Sequence, residues 1–268
     1  DEKDYALFLR KREIAQELRE SIRIGCQGFV AFFQPVFKAE NGKLSGAEAL
    51  MRFSSKKFGM VSPAEFILIL EETGLIPVGR WMMKEAMEKC KQIRTVIPEF
   101  KVNINISQVQ VAKSEVILDL VDEIEKSGLS TEAVNIELTE SVLLENNINT
   151  QHFLKELKRM KIKLALDDFG TGYSNFHYLS ELNPEIIKID RTFTANAVAD
   201  EKEYYLLKQF CEMIHRLGLK ICIEGVENEE EWAKIKKLKP EYCQGFYWGK
   251  PCEYDDFIRQ FVDKAQNK

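Results

Sequence analysis

The chain has 268 residues, 45% apolar and 30% charged, with 38 Lys and Arg against 43 Asp and Glu for a net charge of −5. Length and composition exclude a disordered or fibrous chain, and the acidic balance excludes a broad basic surface for gripping DNA or an RNA polymer. No apolar run approaches the roughly 18 residues that span a bilayer, and six scattered cysteines without a CxxC pair exclude a zinc ribbon or a disulfide-stapled secreted scaffold and read as reduced, cytosolic thiols. The chain opens Asp-Glu-Lys-Asp, without an initiator Met or signal-like segment, as expected of part of a longer polypeptide with domains upstream.

Asp4–Gly25 sets Leu7, Ile14, Leu18 and Ile22 among charged residues before a glycine. The spacing predicts an amphipathic helix, suited to a connector over residues 1–25. Phe29–Phe37 and Leu44–Phe53 flank Asn41-Gly42 and predict an antiparallel hairpin. Helical stretches follow at Pro63–Thr73, Trp81–Thr95, Ser114–Ser127, Thr150–Met160, Lys202–Leu217, Glu229–Leu238 and Tyr254–Ala265. Between them lie short apolar runs: Val102–Ile106, Val134–Leu138, Ile162–Leu166, Ile186–Ile189, Leu219–Ile223 and Tyr242–Trp248. This alternation predicts parallel β/α units, and about eight units in roughly 240 residues favour a (β/α)8 TIM-like barrel over an open sheet. One α/β barrel domain is expected over residues 26–268.

The polar residues in these strands, or at their carboxyl ends, are in phase: Glu48, Asn105, Glu137, Asp167-Asp168, Lys188, Glu224 and Gln244. Any one alone is more simply a strand-end or helix cap. Together they would meet at the C-terminal mouth of a barrel, where active sites of this architecture sit. Acidic groups gathered there repel one another unless cations intervene. The set offers oxygen donors without histidine, which implies magnesium or manganese rather than zinc. Adjacent aspartates could hold two ions with Asp167 bridging, the apparatus of in-line displacement at phosphorus. Lys188 could hold the attacking water or a phosphate oxygen; a buried ion pair is its plainer role. Arg52 has a planar fork suited to phosphate, with a surface ion pair as its plainer role. Asp168–Ser174 is glycine-rich, which serves an anion or merely a tight turn.

These residues resemble the EAL-domain cyclic di-GMP phosphodiesterases. The signature stands as Glu48-Ala49-Leu50, joined by Asn105-Ile-Ser107, Glu137-Leu-Thr-Glu140, Asp167-Asp-Phe-Gly-Thr-Gly-Tyr173, Lys188-Ile-Asp190, Glu224-Gly-Val-Glu227 and Gln244-Gly245, between Gln34-Pro35 and Lys250-Pro251. The resemblance implies a barrel whose first strand is antiparallel, and hydrolysis of cyclic di-GMP to the linear dinucleotide pGpG with a two-ion Mg2+ or Mn2+ site. It implies Glu48, Asn105, Glu137 and Asp167 as ligands of one metal. Asp167 and Asp168 would hold the second, with Glu224 nearby. Lys188 would hold and help activate the water, and Glu140 would fix the loop after Asp168. Gln34, Leu50, Arg52, Glu227 and Gln244 would touch substrate or support the site. A homodimer in the cytoplasm is also implied. The departures are Phe53 where Trp is frequent, an extra Asn103 on the parity of Asn105, and Gln244-Gly-Phe-Tyr-Trp-Gly249.

A receptor of the same fold that binds cyclic di-GMP without turnover is the alternative, but such a module ordinarily lacks ligands that are all present here. An enolase-like barrel, with a lysine abstracting a carbon-bound proton beside magnesium, fits the Asp167-Asp168 pair and Arg52 less well.

Overall fold

In a computed structural model that describes residues 2–73, 76–139, 142, 147–169 and 184–266, the hairpin forms as β1 (Phe29–Lys38) and β2 (Leu44–Ser55). Their antiparallel pairing runs from Phe29↔Phe53 to Phe37↔Leu44. Gly42 makes the turn at φ 66°, a left-handed conformation open to a residue without Cβ.

The later strands are β3 (Gly59–Val61), β4 (Lys101–Asn105), β5 (Val134–Thr139), β6 (Lys163–Phe169), β7 (Ile186–Ile189), β8 (Lys220–Ile223), β9 (Tyr242–Cys243) and β10 (Cys252–Glu253). β2 and β4 to β9 pair in parallel, and β9 closes antiparallel on β1. The result is a closed eight-stranded barrel with an antiparallel first strand, while β3 and β10 extend β2 and β1 outside it. Nearly all-apolar β7 is buried along its whole length, as expected of a parallel strand covered on both faces.

Around the barrel lie α1 (Glu2–Arg23), α2 (Pro63–Thr73), α3 (Ile76–Arg94), α4 (Gln108–Val111), α5 (Glu115–Ser127), α6 (Ile148–Met160), α7 (Arg191–Ala199), α8 (Glu201–Arg216) and α9 (Glu229–Ile235). Local chemistry fixes several ends. Asn147 Oδ1 accepts from Thr150 N–H at 2.8 Å to start α6, and Gly128 closes α5 in the left-handed region, as caps do. α1 docks through Ile14 and Leu18, which pack with Phe29, Phe53 and Phe66. Arg10 on α1 pairs with Glu65 on α2 at 2.7 Å. None of the described helices is long and apolar enough to cross a membrane.

The short elements β3, α4 and β10 were not expected, and two further departures bear on the site. α7 was not anticipated from the sequence; Asp190 caps it by accepting from Thr192 N–H. The aromatic run Tyr242–Trp248 is a strand only over Tyr242–Cys243. After Gln244 the chain turns so tightly that a Cβ on Gly245 would stand 2.2 Å from the Val226 carbonyl oxygen. Gly245→Ala should therefore destabilise the fold by about 1–3 kcal/mol, read as a lower thermal midpoint; an unchanged midpoint would mean the backbone yields freely there.

All six cysteines are unpaired, five buried and Cys252 half-buried. Burial pushes the thiols of Cys90, Cys211 and Cys243 up to about 12.

Candidate active site

Strand register brings the polar strand-end residues to one place. Lys188, 1% exposed on β7, reaches carboxylates from four other strands or strand ends. Its Nζ lies 2.8 Å from Glu137 Oε2, 2.8 Å from Glu224 Oε1, 3.1 Å from Asp167 Oδ1 and 3.2 Å from Glu48 Oε2. Amides hold the carboxylates in turn. Asn105 Nδ2 donates to Glu48 Oε1 at 2.7 Å, Gln244 Nε2 to Glu48 Oε2 at 2.7 Å, and Asn103 Nδ2 to Glu137 Oε1 at 2.6 Å.

One ammonium does not balance this set, and the protonation behaviour follows. Burial pushes the Glu137 carboxyl well above the usual range, with the Glu48 charge adding to it. Burial lifts Glu224 to about 8, assisted by Asp167 and Glu48. Glu48 goes the other way: burial would raise it, but Lys188 and the amides of Gln244 and Asn105 hold it low. Burial opposes the charge on Lys188, yet Asp167, Glu137, Glu224 and Glu48 together hold it well above the ordinary lysine value. Lys188 is therefore a committed hydrogen-bond donor.

A divalent cation fits this chemistry. Glu48, Glu137 and Asp167 each present an oxygen within 4.8 Å of the others, and hard cations select such a donor set. Asp168 is not one of this trio; partial burial and the neighbouring Asp167 charge push its carboxyl up. Its backbone is at φ 52°, and its N–H donates to Asp167 Oδ1 at 3.0 Å where the β6–β7 register breaks between Leu166 and Phe169.

Above the cluster opens a cavity of about 230 Å3, lined among others by Gln34, Leu50, Glu224, Glu227, Gln244 and Phe246. Gln34 accepts from Gln244 Nε2 at 3.1 Å, and Gln244 Oε1 is buried without a partner among the described residues. Arg52 is not among the lining residues. Its Nη1 donates to the Met51 carbonyl at 2.8 Å and its guanidinium lies 5.5 Å from the centre of the Phe32 ring. Glu140 and the glycine-rich residues 170–174 lie outside the described residues.

Arg191 and Phe246 also line the cavity; Phe246 belongs to the departure noted in the sequence, and Arg191 was missed there. Arg191 pairs with Glu227 at 2.6 Å. Its side chain lies so close to Gly225 that a Cβ there would stand 2.3 Å from Arg191 Cγ. The available signal was Arg191's place directly after Lys188-Ile-Asp190.

The EAL domain pattern matches residues 15–251. The chain belongs to the EAL domain family. The EAL chain is 30% identical over 239 residues to the Escherichia coli "Cyclic di-GMP phosphodiesterase PdeL", covering 88% of this chain and 66% of that protein. It superposes on the structure titled "PaMucR Phosphodiesterase, c-di-GMP complex" with TM-score 0.85 and 28% identity, covering 91% and 99% of the two chains. The EAL enzyme Bd1971, in a cAMP- and cyclic-di-GMP-bound form, gives TM-score 0.87 and 27% identity over 94% and 69%. The chain spans about a quarter to a third of the length of several curated relatives it matches.

Proposed function

We propose that this EAL domain is a phosphodiesterase that opens cyclic di-GMP to linear pGpG with the help of two magnesium or manganese ions. The observation that supports it most is the Lys188-centred carboxylate cluster beneath an open cavity, in a chain whose relatives include named cyclic di-GMP phosphodiesterases. Glu48, Asn105, Glu137 and Asp167 would hold one cation; Asp167 and Asp168, with Glu224 beside them, the second. When bound, the cations stabilise the negative charge that builds on phosphorus during in-line displacement.

The chain's own groups have separate tasks. Lys188, kept protonated, donates to the attacking water and fixes its line of approach. Glu224, at the cavity and ionised once the site is loaded, accepts the water's proton. The water oxygen bonds to phosphorus, the bond from phosphorus to the 3′ oxygen breaks, and that oxygen takes up a proton from solvent to leave as a hydroxyl, so the product keeps a 5′ phosphate. Gln34, Leu50, Glu227 and Gln244 orient the dinucleotide, with Arg52 outside them for a more distant phosphate. Glu140 anchors the loop after Asp168. We place the domain in a homodimer within a longer cytoplasmic polypeptide in which residues 1–25 connect it to what precedes.

Incubating the chain with cyclic di-GMP and magnesium or manganese should yield pGpG, and a chelator should abolish the reaction. Turnover that persists with chelator would sink the metal-dependent reading, and tight binding without turnover would make the domain a receptor.

A pH dependence also follows. In metal-free protein, folded Glu224 keeps its proton up to about 8 against an ordinary 4.5, so the native state binds more protons and stability falls as pH rises between those values. Comparing thermal midpoints with Glu224→Gln across that window isolates the effect. Saturating Mn2+ should flatten the slope, and a slope identical in the two proteins would exclude this assignment.

A further inference from the structure

The inside of a β/α barrel is ordinarily filled by branched aliphatic side chains. Below the carboxylates this barrel stays apolar with Val36, Ala165, Ile186 and Cys222, beside Tyr242. Asn103 and Asn135 are exceptions. They are register partners on β4 and β5, 8% and 4% exposed, and neither belongs to the ligand set or the lining of the site cavity.

Their hydrogen bonds run in one direction. Asn103 turns Nδ2 toward Glu137 Oε1, at 2.6 Å. That leaves Asn103 Oδ1 to accept from Asn135 Nδ2, at 2.9 Å. Asn135 Oδ1 then faces away from both, buried and without a partner among the described residues. Asn135 also lines a second cavity, of about 20 Å3, inside the barrel beneath Lys188, which lines it together with Asn103, Ser45, Lys101 and Tyr242. Such a space holds one water, provided polar groups meet it.

We propose that Asn103 and Asn135 are positioning residues, a one-way amide relay that fixes Glu137 from beneath and ends on a single water held at Asn135 Oδ1. The inference rests on the reading of Glu137 as a cation ligand. The relay occupies Oε1 while Lys188 occupies Oε2 at 2.8 Å, so the carboxylate is held from two sides before a cation arrives. Outer partners of this kind typically contribute 10–100-fold to metal affinity. Two amides that merely filled space would contribute nothing to it.

The deciding variant is Asn103→Leu/Asn135→Leu, which removes both amides with little change of shape and strands neither. Mn2+ affinity by titration calorimetry should fall roughly 10–100-fold, and the thermal midpoint of the metal-free chain should fall as well, since Glu137 Oε1 is left buried without its donor. Asn103→Ser, which keeps a donor toward Glu137, should recover part of the affinity and is the variant to read if the double variant does not fold. Unchanged Mn2+ affinity in the double variant, or in Asn103→Ser relative to Asn103→Leu, overturns the relay.

Asp167→Asn separates this from the ligand reading. If that variant binds Mn2+ as the unsubstituted chain does, or if neither binds it, the ligand reading fails. The relay is then decided by exchange of the side-chain amide protons: slow exchange at both Asn103 and Asn135 supports it, and fast exchange at either overturns it. A high-resolution structure should show one ordered water within hydrogen-bonding distance of Asn135 Oδ1, and a dry cavity removes that terminus.

Discussion

Lys188→Ala is expected to lower kcat by roughly 10²–10⁴-fold while KM changes far less. The side chain deletes no cation ligand, but it removes the donor that meets Glu48, Glu137, Asp167 and Glu224 within 3.2 Å. The second consequence concerns folding. Those carboxylates are buried or nearly so, and stripping a buried ionic group of its partner typically costs 3–5 kcal/mol. Part of that cost is offset by proton uptake, since Glu137 and Glu224 already sit high. The metal-free variant should therefore unfold at a lower temperature than the unsubstituted chain, and added Mn2+ should restore most of the difference. Collapsed substrate affinity with a normal kcat would make Lys188 a phosphate clamp instead.

Asp167→Asn should have the larger effect on turnover and the opposite effect on stability. The replacement is isosteric, and an amide oxygen can still accept from Lys188, at 3.1 Å, and from the Asp168 N–H, at 3.0 Å. What disappears is the negative charge proposed to bridge two cations. Losing that stabilisation removes several kcal/mol from the transition state, a rate loss of roughly a thousandfold or more. Asp167 is also one of the charges that push Glu137 and Glu224 upward. Its neutralisation relieves repulsion, and the metal-free variant should unfold no lower than the unsubstituted chain. Near-normal hydrolysis at saturating magnesium would remove the bridging assignment, whatever the thermal result.

Much of this was legible in the sequence because barrel strands speak in period two. Glu48 with Leu50, and Asn103 with Asn105, fall on one parity, and the apolar residues between them fix which face meets the helices. Strand ends could thus be aligned residue by residue before any coordinates. What parity does not give is register between strands. That Asn103 lies beside Asn135 and beneath Glu137 depends on how β4 slides against β5, so Asn103 read only as an extra amide. Arg191 and Glu227 are paired from separate strand ends, again a tertiary fact. The run Tyr242–Trp248 misled for a different reason. Aromatic residues favour strands, but the close approach of Gly245 to Val226 forces a turn that propensity cannot foresee. α7 was overlooked because Arg191–Ala199 has no long apolar stripe; only Thr194 and Ala197 are buried.

The distribution of thiols gives the molecule a set of built-in clocks. Cys26 lies in the cluster where α1 meets the barrel, Cys90 on the buried face of α3, Cys211 on the buried face of α8, and Cys222 inside the barrel itself. Each is buried, so a thiol-reactive dye reaches it only when its own neighbourhood opens. Labelling rates followed site by site by mass spectrometry would rank how often each layer breathes without a single engineered probe. If cyclic di-GMP or Mn2+ tightens the mouth, Cys222 should slow while Cys26 keeps its pace.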